Sequence, residues 1–255
     1  MADFVSLKLG VGNADGLGET RRKELEESAL HLGIRNASDV FVMDDPARFE
    51  DSMTKNWSPA DISALLASAF APELVNLRSS TSPSSTTRNT AGNGAATQRQ
   101  QNRESGSDDP PKATIDVILT FDQEGVSNHP NHRSLYHGAV LFLKNLMKDK
   151  PGYSCPVALY TLTTTNVIRK YIGVFDSLFS LFLGALSNIL DRDSRRKAKQ
   201  HGYFKQLLFI NSIPQWLQAR RAMVDGHKSQ MVWFRWGWIA ISRYMVVNDL
   251  KREKV

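Results

Sequence analysis

TIDVILTFDQEGVSNHPNHRSLYHGAV, residues 114–140, carries a strand, a loop and the opening of a helix in one run. TIDVILTF is a short continuous apolar run, the pattern of a buried strand. Pro130 stands where a helix begins, and that helix is expected to run to about Met147. Three of the chain's six histidines, His129, His132 and His137, fall within nine positions here. A spacing of three puts His129 and His132 on one face of the helix. Two readings stand. They are polar capping groups, or they are part of a metal site that needs more ligands, since a catalytic zinc takes three from the protein. In a hydrolase one histidine would bind the metal and the other would donate a proton or hold an oxyanion. Asp122, at the strand end, is placed to fix a histidine tautomer. His137 should face elsewhere and is read as structural.

The same strand–helix rhythm extends in both directions. FVSLKL alternates like a strand, GVGNADGLGE is a glycine-rich turn, and ETRRKELEESALHLGI is a helix with Gly33 as its C-cap. DVFVM reads as a strand, and SPADISALLASAF as a helix with Ser58 as N-cap and Pro59 first inside. Downstream, PVALYTLT and QLLFIN are strands, and the segment 172–190 is expected to be a buried amphipathic helix. Two helical pieces close the chain, one around PQWLQARRAM and one from about Ser229 to Asn248. This alternation predicts an α/β fold, Rossmann-like, with a largely parallel sheet flanked by helices. In such sheets ligands bind beyond the carboxyl ends of the strands, so the glycine loop and the histidine loop are candidates for one crevice.

Composition narrows the class. A hydrophobic content of 41% and a charged content of 23% are those of a globular protein with a proper core. The one cysteine, Cys155, excludes an internal disulfide and fits a reducing compartment. Residues 78–113 are nearly devoid of apolar side chains and are expected to be a disordered low-complexity insertion within a single domain spanning 1–255. From Asp191 to the end there are 14 Lys or Arg against 5 Asp or Glu, a net +9 that leaves −3 elsewhere in a chain of +6. Four tryptophans, Trp216, Trp233, Trp236 and Trp238, are interleaved with that charge, which suits an anionic membrane surface. Nucleic acid is the competing partner, but no nucleic-acid-binding motif is present.

Two further groups have double readings. Gly10, Gly12, Gly16 and Gly18 form either a phosphate cradle or a tight turn, without a G-x-G-x-x-G in register or a Walker A lysine. Arg21 and Glu24 either pair on a solvated face, or Arg21 points into the crevice to grip a hydroxyl or phosphate. His227 is either a surface-loop residue or part of a pocket.

Taken together, GNADGLGETRRKEL (12–25), LTFDQEGVSNHPNHRSLYHG (119–138), NVIRKY (166–171) and AM…HKSQMVWFRW…SRYM (222–245) resemble the N-acetylglucosaminylphosphatidylinositol de-N-acetylases, the PIG-L branch of the LmbE-like metal-dependent deacetylases. The resemblance implies a Rossmann-like fold, a zinc ion, and removal of acetate from GlcNAc-PI in the second step of GPI-anchor biosynthesis. It places the activity at the cytoplasmic face of the endoplasmic reticulum membrane. By position, His132 is implied as metal ligand and His129 as the group that stabilises the oxyanion or protonates the leaving amine. Asp122 is implied at the matching strand end, and Arg21, Asn13 and His227 as substrate contacts. The family's His-Pro-Asp-Asp-Glu motif, which supplies further metal ligands and a general base, does not occur in these 255 residues. The expectation is therefore that the first strand, this motif and an N-terminal membrane helix are missing, leaving the metal site incomplete. The alternative to the enzyme is an N-terminally truncated, non-catalytic remnant or incomplete gene model, retaining at most substrate or membrane binding.

Overall fold

The computed structural model describes residues 6–9, 17–74, 109–173, 175–190 and 204–254. Asn13, the glycines of the 10–16 turn and most of the 78–113 insertion lie outside them. The chain is an α/β protein with two groups of strands. β1 (Ser6–Leu9) pairs in parallel with β2 (Val40–Met43). β3 (Val117–Phe121), β4 (Ala158–Leu162), β5 (Gln206–Ile210) and β6 (Val247–Arg252) form a second sheet in the order β3-β4-β6-β5. β3 and β4 are parallel, and β6 runs antiparallel to both of its neighbours.

Helix α1 (Gly18–Leu32) joins β1 to β2, and Gly33 ends it at φ 101°, with its N–H returned to the last-turn carbonyls. Helix α2 (Pro59–Phe70) starts on Ser58, whose side chain accepts from the Asp61 N–H. Helix α3 (Pro130–Leu146) follows β3 through the histidine loop. These three expectations hold because each rests on a local signal that tertiary packing does not contest.

α2 and α3 pack on the sheet around Phe49, Trp57, Ile62, Leu66, Phe142 and Leu143, all buried. The 44–58 loop is part of this core. Phe49 and Trp57 meet edge to face at 5.6 Å, and the Trp57 N–H donates to the Ser134 hydroxyl of α3 at 2.9 Å. Gly138 sets the closest approach of the two helices: a Cβ there would lie 2.3 Å from Ile62 Cγ2.

The C-terminal third departs from the sequence reading in two ways. The helix expected from Ser229 to Asn248 is broken. A short 3₁₀ turn at Lys228–Gln230 precedes α7 (Trp233–Ile241), a second 3₁₀ turn follows at Arg243–Met245, and β6 then closes the sheet. Ser242 ends α7 in extended conformation, and its hydroxyl accepts from the Tyr244 N–H. VNDLKR was missed as a strand because Asn, Asp, Lys and Arg dilute its alternation, while Val247 and Asp249 are both turned inward.

The second departure is the segment 172–190. After a short helix α4 (Val167–Tyr171), α5 (Phe175–Leu190) is helical as expected, yet its polarity is inverted. Asp176, Ser177 and Ser180 are buried, whereas Phe175, Leu178, Phe179 and Phe182 are exposed. The inward polar face is held by two guanidinium groups. Arg243 donates from Nε to Asp176 at 2.6 Å and from Nη2 to Asp249 of β6 at 3.0 Å. Arg169 of α4 grips the same carboxylate at 2.7 and 3.0 Å. Burial alone would raise the Asp176 carboxyl, but Arg169, Ser180 and Arg243 outweigh it and hold it below the usual range. The remaining helix, α6 (Ile213–Val224), packs on α1.

Gly138→Ala should lower stability, because overpacking against Ile62 costs about 1–3 kcal/mol and the gain in helix propensity returns at most about 1 kcal/mol. Urea unfolding measures this; an unchanged or higher midpoint would contradict the α2–α3 approach.

Candidate active site

Phe121 ends β3, and the chain turns at Asp122 into a helical turn at Gly125–Asn128 before α3. The Asp122 carboxylate organises this turn. It accepts from the Glu124 N–H at 3.1 Å and the Gly125 N–H at 2.9 Å. It also accepts from the Thr164 N–H at 2.5 Å and the Thr164 hydroxyl at 2.6 Å, both from the loop after β4. The turn is clamped further by the Val126 N–H donating to Thr164 Oγ1 and by Lys170 Nζ donating to the Val126 carbonyl. Val126 is held at φ 63°, a strained conformation for a β-branched residue. Gly125, at φ 64°, is required twice: for the backbone angle, and because a Cβ there would lie 2.8 Å from His132 Cβ.

The Gly125 carbonyl faces His132 Nδ1 at 3.1 Å. A carbonyl can only accept, so Nδ1 carries the proton and Nε2 keeps the lone pair. His132 is half-buried and stacks on Phe121 with ring centroids 4.1 Å apart. His129 has the opposite tautomer. It is the N-cap of α3, and its Nδ1 accepts from the Asn131 N–H at 3.2 Å, which leaves the proton on Nε2. The two rings are 5.1 Å apart. One imidazole therefore offers a lone pair beside another that offers an N–H.

Asp122 does not bond to either ring in this arrangement. Both its oxygens are taken by the turn and by Thr164, so it orients His132 at one remove, through Gly125. Sequence reasoning missed Thr164 and Asp51. Asp51 accepts from the side-chain amide of the buried Asn131 at 3.2 Å, and its charge reaches His132. A signal for both existed: they lie in the loops after β4 and β2, where the strand-end rule points as firmly as it does after β1 and β3. His137 is exposed on α3, as its spacing implied.

His227 belongs to a second cluster, built on Glu24 of α1, the helix that also carries Arg21. A contact here joins α1 to the Lys228–Gln230 turn. The buried Glu24 carboxylate accepts from the Ser229 N–H and hydroxyl, each at 2.6 Å. Burial would raise this carboxyl, but the Ser229 bonds and the charge of His227 keep it below its ordinary value. Ser229 is thus anchored to Glu24 rather than serving as a helix N-cap, the role Val232 takes for α7. The His227 ring nitrogen Nδ1 lies 3.4 Å from Gln230 Nε2.

Among the described residues no group of three or more His, Cys, Asp or Glu is placed to hold a metal ion. His132 Nε2 is a fitting single ligand, and the described donors do not complete a zinc set around it.

Gly125→Ala should push His132 from its carbonyl partner, visible as a changed imidazole resonance in a protein that remains folded; an unmoved His132 resonance would contradict the relay. A pH effect follows as well. Burial lowers the His132 pKa, with the His129 charge acting the same way and the Gly125 carbonyl opposing. Neutral His132 therefore contributes stability above the ordinary histidine value of about 6.5, and that contribution is lost as pH falls below it. Unfolding free energy should drop between about pH 7 and 5.5, with a shallower drop in His132→Gln; equal slopes would refute the burial argument.

Residues 5–143 match the family model described as PIG-L, GlcNAc-PI de-N-acetylase. A protein of Arthroderma benhamiae named N-acetylglucosaminyl-phosphatidylinositol de-N-acetylase is 51% identical, covering 96% of this chain and 69% of its own length. A Schizosaccharomyces pombe protein named as a probable enzyme of that kind is 30% identical, over 96% of this chain and 73% of its own. The Saccharomyces cerevisiae protein with the name of the first is 30% identical, over 96% and 69%. No solved structure matches.

Proposed function

We propose, from the premise that this chain belongs to the PIG-L family of GlcNAc-PI de-N-acetylases, that it hydrolyses the N-acetyl group of GlcNAc-PI. The observation that carries the reading is the pair of complementary tautomers at His129 and His132. Amide hydrolysis places negative charge on the carbonyl oxygen and requires a proton for the departing amine. The His129 Nε2–H is the donor for either demand. His132 offers a neutral imidazole, as a metal ligand must be. Zinc enters this reading with His132 as its ligand among the described residues, which do not complete a set. Arg21, Asn13 and His227 are assigned to the sugar and phosphate of the substrate, with Glu24 holding the loop that bears His227.

The substrate is a lipid, so the reaction belongs at a membrane, and we assign it to the cytoplasmic face of the endoplasmic reticulum. The net +9 after residue 190 supports attachment to anionic headgroups, with Trp233 and Trp236 exposed on α7. No helix among the described residues is long and apolar enough to cross a membrane. The alternative, a non-catalytic remnant, is less favoured: similarity to named de-N-acetylases runs along 96% of the chain at up to 51% identity.

Acetate release from GlcNAc-PI is the test. His132→Ala should abolish turnover, and His129→Ala should reduce kcat by about 10²–10⁴-fold, the usual share of a positioned acid or base. Full turnover in either variant would overturn the roles, and none in the parent protein would favour the remnant.

A further inference from the structure

Helix α5 is turned inside out. Its three described polar residues face the protein, and its large apolar side chains face away: Phe175 is 73% exposed, Leu178 69% and Phe182 66%. Between Phe175 and Leu190 the one charged residue is Asp176, and it is fully buried. A surface helix ordinarily directs its apolar stripe inward. Here the buried Arg169–Asp176–Arg243 network fixes the opposite orientation, since rolling α5 over would turn Asp176 outward and break every one of those charge-assisted bonds. The apolar face is therefore a built feature. It continues into α4, where Val167 and Ile168 are exposed, and the α4–α5 corner at Gly173 abuts the Ile241 carbonyl at the end of α7.

We infer that α4 and α5 form a membrane-docking face, on which α5 lies in the plane of a phospholipid bilayer carrying anionic headgroups. Three observations select that occupant. The 16 residues of α5 span ~24 Å along its axis, and no described helix suits a transmembrane span, which fits an interfacial helix. The stretch that follows it, DRDSRRKAKQ, holds five basic residues against two acidic ones, a charge complementary to anionic lipid. Trp233, 85% exposed, and Trp236 on the neighbouring α7 are side chains that favour the headgroup layer. The inference goes beyond the proposed reaction and does not depend on it.

Flotation of the full chain with vesicles of phosphatidylcholine, alone or mixed with phosphatidylserine, tests it; no GlcNAc-PI is present, so a failed deacetylase reading would leave the result intact. The double substitution Leu178→Glu, Phe182→Glu should cut binding at least about tenfold, with circular dichroism and melting unchanged because both side chains are already in solvent. An environment-sensitive dye on Phe182→Cys, in a Cys155→Ser background, should shift to the blue when vesicles are added. Binding equal to the parent in the double variant, or an unmoved dye, overturns the proposal. So does a parent dimer that the double variant dissolves while vesicle binding persists, since a second copy would then be the occupant.

Discussion

The Asp122 carboxylate sits where two parallel strands end, and the site depends on what it holds there. Four donors converge on it: the N–H groups of Glu124 and Gly125 from its own loop, and the N–H and hydroxyl of Thr164 from the next. Hydrogen bonds to an ionised acceptor are the strong ones, and a buried donor left without its partner costs about 1–3 kcal/mol. The loops after β3 and β4 are thereby locked to each other. The locked turn aims the Gly125 carbonyl, which selects the His132 tautomer. Chemistry two residues into α3 is set by a carboxylate that touches neither imidazole.

A second carboxylate does for α4, α5 and β6 what Asp122 does for the histidines. Asp176 is flanked by Arg169 and Arg243, and Arg243 also reaches Asp249 in β6. A buried charge is tolerated when it is paired and hydrogen-bonded, and removing one partner strands the other at a cost of about 3–5 kcal/mol. The network ties α4, α5, the 3₁₀ turn at Arg243–Met245 and β6 into one unit. The loop that binds Asp122 leads directly into α4, through Asn166 as its N-cap. Tyr244 bridges the two systems, donating to the Thr163 carbonyl at 3.1 Å and accepting from the Thr165 N–H at 3.2 Å.

How much of this was legible in the sequence follows from how local each signal is. Gly33, Ser58 and Pro130 mark helix boundaries by backbone chemistry within a few residues, and the structure keeps all three. The parallel β3–β4 pair follows from apolar runs separated by a helix. β6 was not legible, because four of its six side chains are charged or polar and the burial of Asp249 depends on Arg243. The inverted face of α5 was hidden for the same reason: apolar periodicity gives an amphipathic helix but not the side that faces the protein. In the site, the histidine pair stood out by spacing, whereas Asp51 and Thr164 become visible only when every strand-end loop is treated as part of the crevice. The resemblance supplied roles for His129 and His132; the hydrogen bonds of Asn131 and Gly125 supply a physical basis for dividing them.

The nitrogen-15 resonances of the two imidazoles measure that division directly in the labelled chain at neutral pH. The expected result is the Nδ1–H tautomer for His132 and the Nε2–H tautomer for His129. Finding both rings in the same tautomer, or the two exchanged, would contradict it.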